Sequence, residues 1–341
     1  VSLARHLAAA AGRLALPVVE RVWAPPVTVF MLHRFADPEP GVEGHDPGVL
    51  REALALLRRL RIPVRALAEV VSDLAAGRPL GRAVVFTVDD GYADFARVGA
   101  PVFAEFDVPV TLFVTTGFVD GAFWFWWDRL HLALERTRVK DLDVELDGVS
   151  RHRLGAGPAR SGFEHRLVEM LKRLPERDRE ERLAQVLRQL DVELPARPPA
   201  RFAPIGWEAV PRLEAAGVSF GPHTVTHPAL AAEDETRARR EMQESWDAVR
   251  SRAGAAVPVF CWPYGMAWSW SGREEGLLAG LGLKGAVTAL PGYLSGPGAA
   301  WSLRGNPGAM PRFSWEEPRH RLVQIVTGAE GIKGRVRGGR V

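Results

Sequence analysis

An apolar run, Ala83-Val84-Val85-Phe86-Thr87-Val88, ends abruptly in Asp89-Asp90-Gly91. The run is too short and too β-branched for a helix, so it predicts a buried strand. A strand that ends this way delivers two carboxylates to one edge of a sheet. Burying them there is costly unless a cation or a hydrogen-bond network compensates. A second stretch, His223-Thr224-Val225-Thr226-His227-Pro228, supplies two imidazoles four residues apart. Two histidines and one of the two aspartates make a ligand set with open positions, the make-up of a catalytic rather than a closed structural metal site. The other aspartate is then free to act as a base on a water that the metal activates. Each motif has an ordinary alternative, since Asp-Asp-Gly also marks turns and a lone histidine is commonly a satisfied core residue. Their joint occurrence at the ends of predicted strands points to a site.

Further strands are predicted at 27–32, ending in His33-Arg34-Phe35, and at 108–115, 218–220, 257–262 and 285–289. Asp46 and Pro47 open a helix as N-cap and first position, with leucines at helical spacing over 50–60. Helices are also predicted at 93–105, 207–216, 233–254 and 274–281. This alternation argues for an α/β fold with parallel strands. The C-terminal strand ends of such a fold share one face, so Asp89-Asp90, His223/His227 and Pro263-Tyr264-Gly265 can meet in one pocket. Residues 118–203 break the rhythm. They begin with Phe123-Trp124-Phe125-Trp126-Trp127, continue through charged helical stretches and close with Pro195-Ala196-Arg197-Pro198-Pro199. A largely helical insertion is expected there. The expected organisation is an N-terminal helical segment (1–26), an α/β body (27–317) carrying the insertion, and a charged C-terminal tail (318–341).

A chain of 341 residues, 47% of them hydrophobic, suits one large α/β domain with an insertion. The net charge of +3 is small and no Lys/Arg cluster alternates with aromatics, so nucleic acid is not an expected partner. The single cysteine, Cys261, excludes an internal disulfide and a cysteine-rich zinc site. No run is long and apolar enough to span a bilayer. Residues 1–23, rich in alanine and leucine with Arg5, Arg13 and Arg21 interspersed, lack the uninterrupted apolar core of a secretory signal. They read as a surface helix, or more sharply as an interfacial helix in peripheral contact with a membrane. The sequence leaves the location open, with cytoplasmic or membrane-peripheral favoured.

The motifs resemble those of the polysaccharide deacetylases of the NodB homology group, carbohydrate esterase family 4. Thr87-Val88-Asp89-Asp90-Gly91 is similar to the first motif, with Val88 where phenylalanine is usual, and the His223 to Pro228 stretch to the second. Phe260-Cys261-Trp262-Pro263-Tyr264-Gly265 is similar to the third in its aromatic-Pro-Tyr-Gly form. Residues 124–130 and 206–230 look like members with a helical insertion, and the resemblance covers most of residues 27–315. It implies a distorted (β/α) barrel with fewer strands than the eight-stranded kind. It also implies a metal-dependent deacetylase acting on N-acetyl, or alternatively O-acetyl, groups of a poly- or oligosaccharide.

By the same resemblance Asp89 is the general base, and Asp90, His223 and His227 hold a divalent ion. Zinc is usual, and cobalt or nickel suit the same donors. The main-chain amide of Tyr264 takes the oxyanion. Two departures stand out. No arginine lies beside the third motif, and Arg312 in Met310-Pro311-Arg312-Phe313 is the candidate to orient Asp89 instead. The late Leu-x-His motif that supplies the acid is missing, and His320 lies in a charged run that reads as a solvated helix. His33, at the end of the first strand, is the candidate acid, with a structural histidine near the metal as its alternative. Trp262, Pro263, Tyr264 and Trp268 are candidates to touch the sugar, and Trp270, Trp124, Trp126 and Trp127 to extend the wall, against the usual core role of tryptophan. Two other readings are an inactive carbohydrate-binding relative and a hydrolase of non-sugar C–N bonds on the same fold.

Overall fold

The computed structural model describes residues 27–294, 307–315 and 319–328. The expected N-terminal helix lies outside the described residues, and of the charged tail expected over 318–341 residues 319–328 are described; they include the helix Arg319–Val326, whose Leu322, Ile325 and Val326 pack into the core instead of standing in solvent. In chain order the strands are β1 (Val27–Leu32), β2 (Ala83–Val88), β3 (Val110–Val114), β4 (Asp141–Leu146), β5 (Val149–Arg153), β6 (Val218–Pro222), β7 (Val259–Cys261), β8 (Gly285–Val287) and β9 (Phe313–Ser314). A five-stranded sheet has the order β6-β3-β2-β1-β9, all parallel. β7 and β8 pair in parallel as a second sheet. Single parallel bridges join the two sheets, Phe220 to Ala256 on one side and Val287 to Met310 on the other. The fold is α/β, a distorted barrel whose two sheets meet through bridges rather than full ladders.

β1, β2 and β3 are buried along their whole length, as parallel strands covered on both faces are. Alternate residues serve different cores because successive side chains point to opposite faces. Phe30, Val84, Phe86 and Val88 pack against the helical layer. Val29, Val85, Phe113, Val259, Cys261 and Val287 form a second cluster. It draws on both sheets, so it is the barrel interior. The inward series along β2 runs Val85, Thr87, Asp89, and so turns from apolar to charged toward the strand's C-terminal end.

The helix Pro47–Arg59 starts as predicted, with Asp46 accepting from the N–H groups of Gly48 and Val49. The helix expected over 93–105 is interrupted: Phe95–Gly99 is a wide π-turn in which the Ala100 N–H reaches back to Phe95, followed by the α-helix Ala100–Glu105. Pro101 has no N–H to donate to the preceding turn, which accounts for the widening.

The stretch between β3 and β6 carries three long helices, Trp126–Arg136, Pro158–Leu171 and Glu176–Leu190, over an apolar cluster of its own. It also contains the antiparallel pair β4–β5, which the helical expectation missed. The pattern was in the sequence. β4 alternates exposed and buried residues, and Asp147-Gly148 supplies the turn.

Candidate active site

The three motifs meet at the C-terminal mouth of the barrel. Asp89 follows β2 and its N–H still pairs with the Leu32 carbonyl. The Gly91 N–H then closes back on the Asp89 carbonyl, with Asp90 at φ 76° between them. A tight γ-turn with positive φ is a strained arrangement. It turns the two neighbouring carboxylates to different partners.

Asp89 faces into the barrel and is almost fully buried. Arg312 grips it with two hydrogen bonds, Nη1 to Oδ1 and Nη2 to Oδ2, each 2.7 Å. The guanidinium also donates to the Thr288 carbonyl, to Thr87 Oγ1 and to Cys261 Sγ. Burial alone would raise the Asp89 pKa, but the Arg312 charge and its hydrogen bonds outweigh it and hold the carboxyl well below its usual range. His33, 44% exposed, places Nε2 3.8 Å from Asp89 Oδ2.

Asp90 faces the histidine loop. Its Oδ1 lies 3.5 Å from His223 Nε2 and 3.7 Å from His227 Nε2, and the two ring nitrogens are 3.1 Å apart. Tetrahedral coordination with bonds of about 2.0–2.1 Å separates its donors by about 3.3 Å, so these three atoms fit one small divalent ion. His223 Nδ1 donates to the Cys261 carbonyl at 2.8 Å, which turns Nε2 toward Asp90 as the ligand atom. Burial lowers the His223 pKa, but Cys261 and Asp90 beside it outweigh that and raise it well above its usual value, so an ion bound there would displace the Nε2 proton. Burial and the neighbouring His223 lower the His227 pKa to about 3, so that ring is neutral. A second trio, Asp89, His223 and Cys261, is equally close. It is a poor metal site, because Arg312 occupies Asp89 and burial keeps the Cys261 thiol protonated by raising its pKa.

Backbone strain concentrates here. Among the described residues eight non-glycines have positive φ, and four of them, Asp90, Thr224, His227 and Tyr264, lie in the three motifs. Such conformations persist only where the surroundings enforce them. The Thr116 and Gly117 N–H groups hold the carbonyls of Thr224 and Val225, and a Cβ on Gly117 would lie 2.8 Å from the Val225 carbonyl oxygen. From the other side Glu241, on the helix Glu235–Arg252, accepts from the Val225 and Thr226 N–H groups at 2.8 and 2.9 Å. Glu241 was not singled out from the sequence, yet it interrupts a mostly apolar buried face formed by Ala238, Met242, Trp246 and Val249.

A cavity of about 910 Å³ opens over these groups. Tyr264 lines it, stacked on Trp268 (5.5 Å) and edge-on to His227 (4.8 Å). Among the described residues nothing accepts from the Tyr264 N–H. Gly265 follows at φ 62°, where a Cβ would lie 2.3 Å from the Ala289 nitrogen. Trp268 is half-buried on the wall. The expected sugar platform needs correction elsewhere. Trp262 reaches the wall but is 1% exposed, stacked on Trp270 with its N–H on the Gly308 carbonyl, so its indole is packing. Pro263 is buried away from the cavity, as are Trp124 and Trp126, whereas Trp127 lines it.

Opposite the barrel, the insertion contributes Asp128, Glu169, Lys172 and Arg173 to the wall. Asp128 is buried, and its Oδ2 accepts from Tyr92 Oη at 2.7 Å, which in turn accepts from Trp127 Nε1 at 3.0 Å. Burial, only partly offset by the Tyr92 hydrogen bond, raises the Asp128 pKa to about 7. Neither Asp128 nor Tyr92 was identified as a site residue from sequence, although residues 124–130 carry part of the family resemblance.

A family model described as polysaccharide deacetylase matches residues 76–281. The chain belongs to the polysaccharide deacetylase family. Membership places it among hydrolases of amide bonds in acetylated polysaccharides. No curated protein matches its sequence detectably. Among solved structures, the Streptococcus pyogenes deacetylase PplD in complex with acetate is similar over 85% of this chain and 93% of its own, at 16% identity and TM-score 0.53. IcaB from Ammonifex degensii gives 16% identity and TM-score 0.53 over 89% and 97%. The BpsB deacetylase domain from Bordetella bronchiseptica gives 15% and 0.51 over 86% and 96%. At these identities the likeness is one of fold.

Proposed function

We propose that this deacetylase is metal-dependent and removes N-acetyl groups from a poly- or oligosaccharide, with O-acetyl groups as the secondary target. Asp90, His223 and His227 hold the ion, zinc being the best match to two imidazoles and a carboxylate, with cobalt or nickel accepted by the same donors. A divalent ion bound there would polarise the acetyl carbonyl and acidify the attacking water, which suits a base as weak as the clamped Asp89. Asp89 takes the proton from that water. Arg312 keeps it ionised and aimed. The Tyr264 N–H stabilises the oxyanion. His33, at the rim beside Asp89, gives a proton to the leaving nitrogen as the C–N bond breaks, releasing acetate and a free amine.

The observation that carries this reading is the division of labour between adjacent carboxylates: Asp89 in the Arg312 fork, Asp90 between two imidazoles. An inactive binding relative would have no need of both. The test is acetate release from N-acetylated and O-acetylated oligosaccharides, run beside cyclic amides and imides. Acetate from the saccharides alone is expected. Turnover of the cyclic compounds alone would replace the sugar substrate with a non-sugar C–N bond.

A further inference from the structure

The insertion also meets the histidine loop from behind, away from the cavity. That loop is strained, with Thr224 and His227 at positive φ, and such conformations persist only where neighbours enforce them. Thr226, next to His227, is the point of attachment. Its Oγ1 lies 2.5 Å from Glu176 Oε2 and 2.9 Å from Glu241 Oε1. Glu241 comes from the α/β body, and Glu176 is the first residue of the insertion helix Glu176–Leu190. One hydroxyl has one proton, so it donates to only one of the two carboxyls, and the other must supply its own. Glu241 is the better holder of that proton. Burial raises its pKa against the hydrogen bonds from Thr226 and Val225, and the Glu176 charge adds to the rise. Glu176 is the ionised member, because Arg237 Nη2 donates to the same Oε2. Arg237 also lies 3.3 Å from Glu233, whose Oε1 takes the Glu176 N–H at 2.7 Å. Glu176 is thus fixed at both its backbone and its carboxylate, and networks of this kind rigidify what they hold.

We propose that the insertion completes the metal site: Glu176 is a positioning residue that, through the Thr226 hydroxyl, locks the loop carrying His223 and His227 in its ligand geometry. The inference rests on the metal-dependent reading and gives the insertion a part in holding the ion besides walling the cavity. The direction of the hydrogen bonds makes the hydroxyl the weak link. Glu241 donates to Thr226 Oγ1, which donates to Glu176, which ends on the Arg237 charge. Removing the hydroxyl breaks both contacts at once, whereas serine in its place keeps both.

The test measures zinc affinity of the full chain by chelator competition, with urea midpoints and amide hydrogen exchange of the metal-free chain alongside. Glu176→Ala and Thr226→Val should each weaken zinc binding about 10–100-fold, the range for removing an outer partner of a metal ligand. Both should also speed exchange of the Thr226 and His227 N–H groups at least about tenfold. Thr226→Ser should stay within about threefold of wild type on both measures. Arg177→Ala, one residue along the same helix and paired in solvent with Glu181, should change neither. If Glu176→Ala does not fold, the two Thr226 variants decide. A lower urea midpoint or faster exchange with zinc affinity unchanged would make Glu176 merely structural and overturn the proposal. So would Thr226→Ser losing as much as Thr226→Val, or Arg177→Ala losing as much as Glu176→Ala. If the wild type binds no zinc, yet exchange quickens in Glu176→Ala and Thr226→Val and not in Thr226→Ser, the metal reading falls and the lock stands. Exchange unchanged in all of them removes the lock.

Discussion

The two walls of the catalytic cavity are built differently. On the barrel side the groups at the centre of the site are buried and matched: Asp89 with Arg312, Asp90 with His223 and His227, the histidine loop with Glu241. On the insertion side Lys172 and Glu169 pair with each other part-way out in solvent, and Arg173 is exposed over the Trp268 ring. Buried, fully bonded groups hold one geometry, and breaking them is expensive. Exposed pairs are worth little and shift easily. The barrel wall therefore fixes the chemistry, and the insertion wall selects what reaches it. Asp128 is the exception that links them, a buried carboxyl from the insertion tied to Tyr92 on the catalytic loop.

That contrast is broken most severely at Asp89. Asp89→Asn should lower the rate of acetate release by about 10²–10⁴-fold, the usual range for a general base, while bound metal is kept. Loss of metal together with rate would mean that Asp89 is a ligand instead. Arg312→Met leaves the Asp89 charge buried without its cation. It should cost about 3–5 kcal/mol in urea unfolding, the range for breaking a buried pair. An unchanged midpoint would show that the fork contributes nothing to the barrel.

His33→Ala sharpens the comparison, because His33 is a barrel residue with an exposed side chain. As the acid, its loss should cut turnover about 10²-fold with metal retained. Turnover near wild type would make it structural. On the insertion side the expected effect is a gain instead of a loss. Asp128 has a raised pKa, near 7 against about 4 unfolded, so it weakens the fold progressively as pH rises through that window and not below it. Asp128→Asn should therefore gain up to about 4 kcal/mol on wild type between pH 4 and pH 8, at most about 1.4 kcal/mol per pH unit. A pH-independent difference in urea midpoints would place the carboxyl in solvent.

Legibility in the sequence followed the same divide. β2 and its two aspartates and the histidine pair were readable, because parallel strands concentrate apolar runs and bring their ends to one face; Arg312 was picked out only through the family resemblance. Which aspartate faces which partner came only from resemblance. It depends on the γ-turn at Asp90, which no local pattern encodes. The insertion read as largely helical, since its charged composition masked the alternation of β4. Trp262 misled because an aromatic beside a sugar site and an aromatic in the core look alike in sequence. Asp128 was missed because a single acid at the start of a helix is ordinary until Tyr92, 36 residues earlier, is found against it.

The central claim is that Asp90, His223 and His227 form a metal site beside a base that is not a ligand. Elemental analysis of the purified chain, with Asp90→Ala, His223→Ala and Asp89→Asn in parallel, addresses it directly. The account predicts about one zinc-like ion per chain in wild type and in Asp89→Asn, and none in the other two. A wild type that takes up no zinc, cobalt or nickel on incubation would contradict it.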